Sequence, residues 1–156
     1  MTPAQRPAAA VWARARWATA HPDIEVREFA ESTRTAQEAA AAIGCEVGQI
    51  VKSLVWVAGG EPLLVLVGGD ARLDPATLGR DELRRPTPEE VREWTGFSIG
   101  GVPPFGHARK LETIMDTGLT RWKTIWAAAG TPHHVFAIAP VDLIERARAS
   151  VAAVTA

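Results

Sequence analysis

Residues 50–67 constrain this chain more than any other stretch. The run Ile50-Val51-Lys52-Ser53-Leu54-Val55-Trp56-Val57 is rich in β-branched residues, and Pro62-Leu63-Leu64-Val65-Leu66-Val67 is nearly all apolar. Ala58-Gly59-Gly60-Glu61 between them is a turn signal. The pair reads as a β-hairpin at the centre of a core.

Helix signals flank the hairpin. Residues 2–20 are Ala-rich, with Val11, Trp12 and Trp17 spaced for one helix face, and Pro22 stops the pattern. Residues 24–29 read as a short strand. Thr35 precedes Glu38 by three, a capping-box pattern, and Gly44 closes a short helix. Asp74-Pro75 suits a short helix start. Thr87-Pro88-Glu89-Glu90 is a stronger one, and Gly96 ends it. Residues 123–128 and 133–138 read as two more strands around Gly130-Thr131-Pro132. Residues 141–151 read as a closing amphipathic helix. Hairpins in the middle with helices outside indicate an α+β fold on a mixed, largely antiparallel sheet. The length of 156 residues and the absence of linkers or repeats indicate one domain, residues 1–156.

Composition excludes several classes. Lys plus Arg is 17 against 18 for Asp plus Glu, so a protein that coats DNA is not expected, although a local basic cleft remains open. Cys45 is the only cysteine, which rules out an intramolecular disulfide and a Cys-based zinc cluster. No apolar stretch approaches the roughly 20 residues that span a bilayer. Arg6, Arg14 and Arg16 bracket the short apolar run near the start, a poor signal peptide. The expectation is a soluble, cytoplasmic protein with no membrane partner.

Lys52 stands in unusual company. Side chains alternate along a strand, so Ile50, Lys52, Leu54 and Trp56 share one face and Val51, Ser53, Val55 and Val57 the other. Burying an unpaired ammonium is costly. Such a lysine either snorkels to water from a sheet edge, pairs with a carboxylate, or sits in a site for a phosphate or carboxylate.

Gly100-Gly101-Val102-Pro103-Pro104-Phe105-Gly106-His107 is the second unusual stretch. It continues neither a helix nor a central strand. It is either a tight connection or a stiff row of main-chain amides of the kind that stabilises an oxyanion. Gly96-Phe97-Ser98-Ile99-Gly100 also matches G-x-S-x-G, with Asp116 and then His133 or His134 following in hydrolase order. That elbow needs a strand before the serine, whereas a helix is expected here. The adjacent His133 and His134 would face opposite sides of a strand, so no metal site is expected. Cys45 reads as a small buried residue and the six tryptophans mostly as core, with one or two free to stack on a base. Asp116, before Thr117-Gly118, reads as a turn residue.

Taken together, three stretches resemble the YbaK/ProX/EbsC family, the editing domain also inserted in bacterial prolyl-tRNA synthetases. They are Gln49-Ile50-Val51-Lys52-Ser53-Leu54-Val55, the segment from Thr95 through Gly106, and Thr113-Ile114-Met115-Asp116. The resemblance runs from about Ile24 onward. It implies a YbaK-like fold: a mixed, mostly antiparallel β-barrel-like sheet surrounded by helices. It implies hydrolysis of mischarged aminoacyl-tRNA at its acceptor end, without metal or cofactor and with a synthetase as a further partner. By resemblance, Lys52 holds the terminal adenosine through its phosphate. Gly100 and Gly101 present amides to the ester carbonyl. Val102, Pro104, Phe105, Phe29, Asp116 and His134 complete the substrate-binding set. No protein nucleophile is implied; water or a substrate group attacks the ester. The closest substrates are small residues misplaced on proline tRNA, such as Ala or Cys.

The sequence departs from the Cys-tRNA branch. That branch has a Tyr in the first strand region, where Phe29 stands in a chain with no Tyr. It has Ser and two Gly in the late hairpin followed by an Asp, where this chain has Ala127-Ala128-Ala129-Gly130 and then His133-His134-Val135. A different small side chain is therefore expected in the pocket. Two other readings stand beside this one: a non-catalytic tRNA- or synthetase-binding module of the same fold, and a Ser98-dependent hydrolase.

Overall fold

The computed structural model describes residues 17–156. The helix expected over 2–20, with Val11 and Trp12, lies mostly outside them; residues 17–20 are helical. The central hairpin is formed by β2 (Val51–Ala58) and β3 (Glu61–Gly68), in antiparallel register from Ala58↔Glu61 to Val51↔Gly68. Gly59 and Gly60 have φ of 57° and 80°. Both values belong to a two-residue turn whose twist matches the strands, and both disfavour any side chain.

β3 pairs in parallel with β5 (Glu112–Asp116), and β5 with β8 (Ser150–Ala152). On the other side, β4 (Leu83–Arg84) pairs only with Val57 and Ala58. The result is a mixed five-stranded sheet in the order β4-β2-β3-β5-β8. A second sheet runs β1 (Arg27–Glu28), β7 (His134–Ile138), β6 (Ile125–Ala128), all antiparallel. The α+β class and the mixed sheet stand; no closed barrel is formed among the described residues. The two sheets touch along an isolated bridge between Ile50 and Trp126. Among the described residues the outer edge of β2 is hydrogen-bonded only to the two-residue β4 at its far end and to β6 at the Ile50–Trp126 bridge.

Both faces of β3 are buried, which explains its unbroken apolar run. One face, with Leu64 and Leu66, packs into the main core with Phe97, Phe105, Met115, Phe136 and Leu143. The other, with Leu63, Val65 and Val67, packs on Leu73, Leu78 and Val154. Each such side chain removed from water contributes about 1.5–3 kcal/mol.

The helices begin and end where their caps dictate. In α1 (Ala36–Ile43) the Thr35 hydroxyl accepts from the Glu38 N–H, and Gly44 closes at φ 83°. In α2 (Pro88–Thr95) Thr87 and Glu90 form a reciprocal capping box, and Gly96 closes at φ 83°. The closing helix is shorter than its pattern. α3 (Pro140–Ala147) stops where Arg148 turns left-handed at φ 51°, and the chain then joins β5 as β8. The amphipathic period ran on through 151, but pairing with an open strand edge wins there. The strand expected over 24–29 narrows to β1. β5, not foreseen as a strand, runs through the core. No helix among the described residues is long and apolar enough to cross a membrane.

Candidate active site

A cleft of about 450 Å³ opens along the uncovered edge of β2. β6, the start of α1, and the turn at Ile99 and Gly100 also line it. Lys52 and Gly100 both border it, as does Val102. The two sequence features that carried the resemblance therefore meet in one cavity, although almost fifty positions separate them.

Lys52 is partly buried beside Leu54 and Trp56, as strand alternation requires. Its ammonium donates to the Ala71 carbonyl at 2.5 Å. Burial pushes its pKa below the usual lysine value; Asp70 opposes that shift and Arg72 adds to it. Asp70 is already paired with Arg121 at 2.5 Å. Among the described residues Lys52 therefore has no carboxylate of its own to offset the cost of its buried charge.

Two further cations border the cleft that the sequence reading missed, Arg34 and Arg85. The Arg34 side chain lies over Gly100: a Cβ built there would meet its Cγ at 2.8 Å. Arg85 stacks its guanidinium on the Trp56 ring, 4.9 Å from the centroid. Among the described residues no Asp or Glu lines the cleft. A chain of net charge -1 thus gathers Lys52, Arg34 and Arg85 around one cleft. Nothing in the local sequence marks Arg34 or Arg85, because only folding brings them beside Lys52.

The loop is held rigidly from behind. The Trp17 indole N–H donates to the Phe105 carbonyl at 2.9 Å, and Trp17 stacks on Phe136 at 4.8 Å. The His107 Nε2–H donates to the Pro103 carbonyl at 2.6 Å, and burial lowers that histidine's pKa. Gly101 packs directly on neighbouring main chain: a Cβ there would lie 2.8–2.9 Å from the backbone of Gly130 and Thr131.

Three of the nine expected site residues line the cleft: Lys52, Gly100 and Val102. The other six have different placements. The Gly101 N–H is spent on the Ser98 carbonyl at 3.0 Å, so it tightens the turn rather than facing the cavity. Pro104 and Phe105 are buried behind the loop. Phe29 pairs its N–H with the His133 carbonyl at 2.8 Å and lies under the Arg27 guanidinium. His134 is buried, with Nδ1 against the Thr131 hydroxyl and Nε2 3.6 Å from Glu28. From that strand it is Val135 that reaches the cleft. Asp116 is sealed: its carboxylate accepts from the Val154 N–H at 2.9 Å and the Gly118 N–H at 3.0 Å.

The serine-hydrolase arrangement does not assemble. Ser98 is exposed after a helix and its capping Gly96, with no strand leading in, and Asp116 is committed to main-chain amides. Cys45 is partly buried, and burial raises its thiol pKa, the opposite of nucleophile activation.

Residues 30–145 match the model of the aminoacyl-tRNA editing domain. This chain belongs to that family. It is 36% identical over 126 residues to the uncharacterized protein YwhH of Bacillus subtilis, covering 78% of this chain and 80% of that one. It is also 36% identical over 122 residues to the proline–tRNA ligase of Nitratidesulfovibrio vulgaris, of which it spans only 19%. A solved structure described as a proposed trans-editing enzyme for prolyl tRNA synthetase superposes with a TM-score of 0.85 at 43% identity, covering 97% of this chain and 99% of that one. An editing domain acts on aminoacyl-tRNA, so the chemistry to be explained is ester hydrolysis.

Proposed function

We propose that this editing domain is a free-standing trans-editing hydrolase that deacylates mischarged aminoacyl-tRNA carrying a small amino acid, such as Ala or Cys, on proline tRNA. The observation that carries the reading is the shared cleft: a partly desolvated lysine and a glycine-rich loop border one cavity that has no acidic lining residue among the described residues.

In this reading Lys52, helped by Arg34 and Arg85, grips the phosphate of the terminal adenosine. Gly100 and Val102 turn main-chain amides toward the ester carbonyl. Water attacks the carbonyl carbon, and negative charge develops on the carbonyl oxygen. The carbon–oxygen bond to the ribose then breaks, and the ribose oxygen takes up the proton. An aminoacyl ester is already activated, so positioning and oxyanion stabilisation suffice. The apolar walls from Ala127, Ala128 and Val135 leave room for a small side chain. A second sieve of this kind is useful because a synthetase pocket discriminates by only about 1–3 kcal/mol per methylene. A synthetase that hands over the charged tRNA is the natural partner, and the cytoplasm the natural location.

The test is deacylation of proline tRNA charged with Ala, Cys, Ser or Thr, by the wild type and Lys52→Ala. Turnover of one small aminoacyl ester, lost in the variant, is expected. No turnover of any would leave a tRNA-binding module instead.

A further inference from the structure

The uncovered edge of β2 is itself a row of hydrogen-bonding groups. Ala58 and Glu61 flank a two-residue turn, so they form a hydrogen-bonded pair. Pairs alternate along an antiparallel ladder, which makes Trp56↔Leu63, Leu54↔Val65 and Lys52↔Val67 hydrogen-bonded as well. Val57↔Pro62, Val55↔Leu64 and Ser53↔Leu66 are the other kind, and their residues on β2 aim N–H and C=O away from β3. Pro62, which has no N–H, stands where this phasing requires none. Val57 spends its outward groups on β4. β6 meets that side of β2 at its start, through the Ile50–Trp126 bridge; beyond it, among the described residues, no strand is hydrogen-bonded to Ser53 or Val55 and no hydrogen bond reaches their outward peptide groups. Proteins normally cover such an edge. Here it forms part of the cleft.

Ser53 adds a second unmet group. It is the one polar residue on the face shared with Val51, Val55 and Val57. Its hydroxyl is buried without a hydrogen-bond partner among the described residues. It also directly follows Lys52 and lines the same cavity as Gly100.

We infer that Ser53 is the subsite for the α-ammonium group of the aminoacyl ester, with its main-chain carbonyl and its hydroxyl as acceptors. The inference rests on the deacylase reading and deepens it. Every aminoacyl ester carries this ammonium whatever its side chain. Two oxygen acceptors at one position on a fixed strand would hold it and so orient the ester carbonyl toward Gly100. The flanking Lys52 does not compete, because its own ammonium is turned to Ala71.

The experiment compares proline tRNA carrying the preferred aminoacyl ester with its α-hydroxyacyl counterpart, each rate normalised to spontaneous hydrolysis. In the wild type the α-hydroxy ester is expected to lose about 10- to 100-fold in kcat/KM, the range for a charge-assisted contact. Ser53→Ala should lower kcat/KM for the amino ester several-fold and narrow that ratio, while Ser53→Thr, which keeps the hydroxyl, should restore it. A purely structural role for Ser53 would slow both esters equally and leave the ratio intact. Equal hydrolysis of the two esters by the wild type overturns the ammonium subsite and leaves the deacylase standing. Hydrolysis of neither removes both.

Discussion

Lys52 and Asp116 sit on two strands of the same sheet and meet opposite fates. Lys52 rises from β2 at an uncovered edge, keeps a charge that burial disfavours, and borders a cavity. Asp116 ends β5 inside the sheet, where amides from Gly118 and Val154 satisfy its carboxylate. In one, burial works against the charge and the cleft beside it stays open; in the other the protein's own amides satisfy the charge. The contrast teaches that charge within a strand marks function only where the fold leaves the charge unmet.

The largest expected effect separates the two directly. Lys52→Ala should lower kcat/KM on charged tRNA by about 100-fold or more, the scale of losing a buried charge-assisted contact. Its thermal midpoint should barely move, because an ammonium lowered in pKa by burial costs stability rather than adding it. Asp116→Ala should do the reverse. It strands buried amides and is expected to cost about 2–4 kcal/mol in a denaturant titration, with kcat/KM of the folded fraction within about 2-fold of wild type. If Asp116→Ala kills turnover at full stability, the contrast breaks.

A pH profile sharpens it further. In the proposed mechanism anion binding needs protonated Lys52, whose pKa lies below the usual lysine value. After subtraction of spontaneous hydrolysis, kcat/KM should fall on the alkaline side, earlier than for an ordinary lysine. Lys52→Arg, always charged, should abolish that fall. On the acid side His107 matters for stability rather than for binding. Its folded pKa is lowered from 6.5, so the native state resists its protonation. The stability it supports is complete above 6.5 and is lost as pH falls from there through the folded value. His107→Gln should flatten that limb of a melting-temperature-against-pH curve. The smallest effect is expected from Ser98→Ala, within about 2-fold in kcat/KM.

Local signals were legible wherever short-range chemistry decides. The Gly59-Gly60 turn, the Thr35 and Thr87 caps and the Gly44 and Gly96 stops all lie where composition placed them. β5 was not legible. Glu112-Thr113-Ile114-Met115-Asp116 is short, and its burial depends on β3 and β8 on either side. The helix pattern through 151 misled for a related reason, since β8 exists only because β5 offers an edge. Within the site, Lys52 was conspicuous as a charge among apolar neighbours. Ser53 was conspicuous in the same way, as a lone polar residue on an apolar face, and that signal went unused. Arg34 and Arg85 carried no signal at all.

By itself the sequence determined the hairpin, the stiff Gly100–Pro104 segment, the exceptional position of Lys52, and through them the family. These depend on side-chain alternation, φ restriction and desolvation, which act within a few residues. Only the tertiary structure decided that the sheet stays open along β2, that Gly101 spends its amide on Ser98 while Gly100 and Val102 reach the cleft, and that Asp116 is sealed. Each of those outcomes turns on which distant segment arrives to take up a hydrogen bond, and no window of neighbouring residues contains that information.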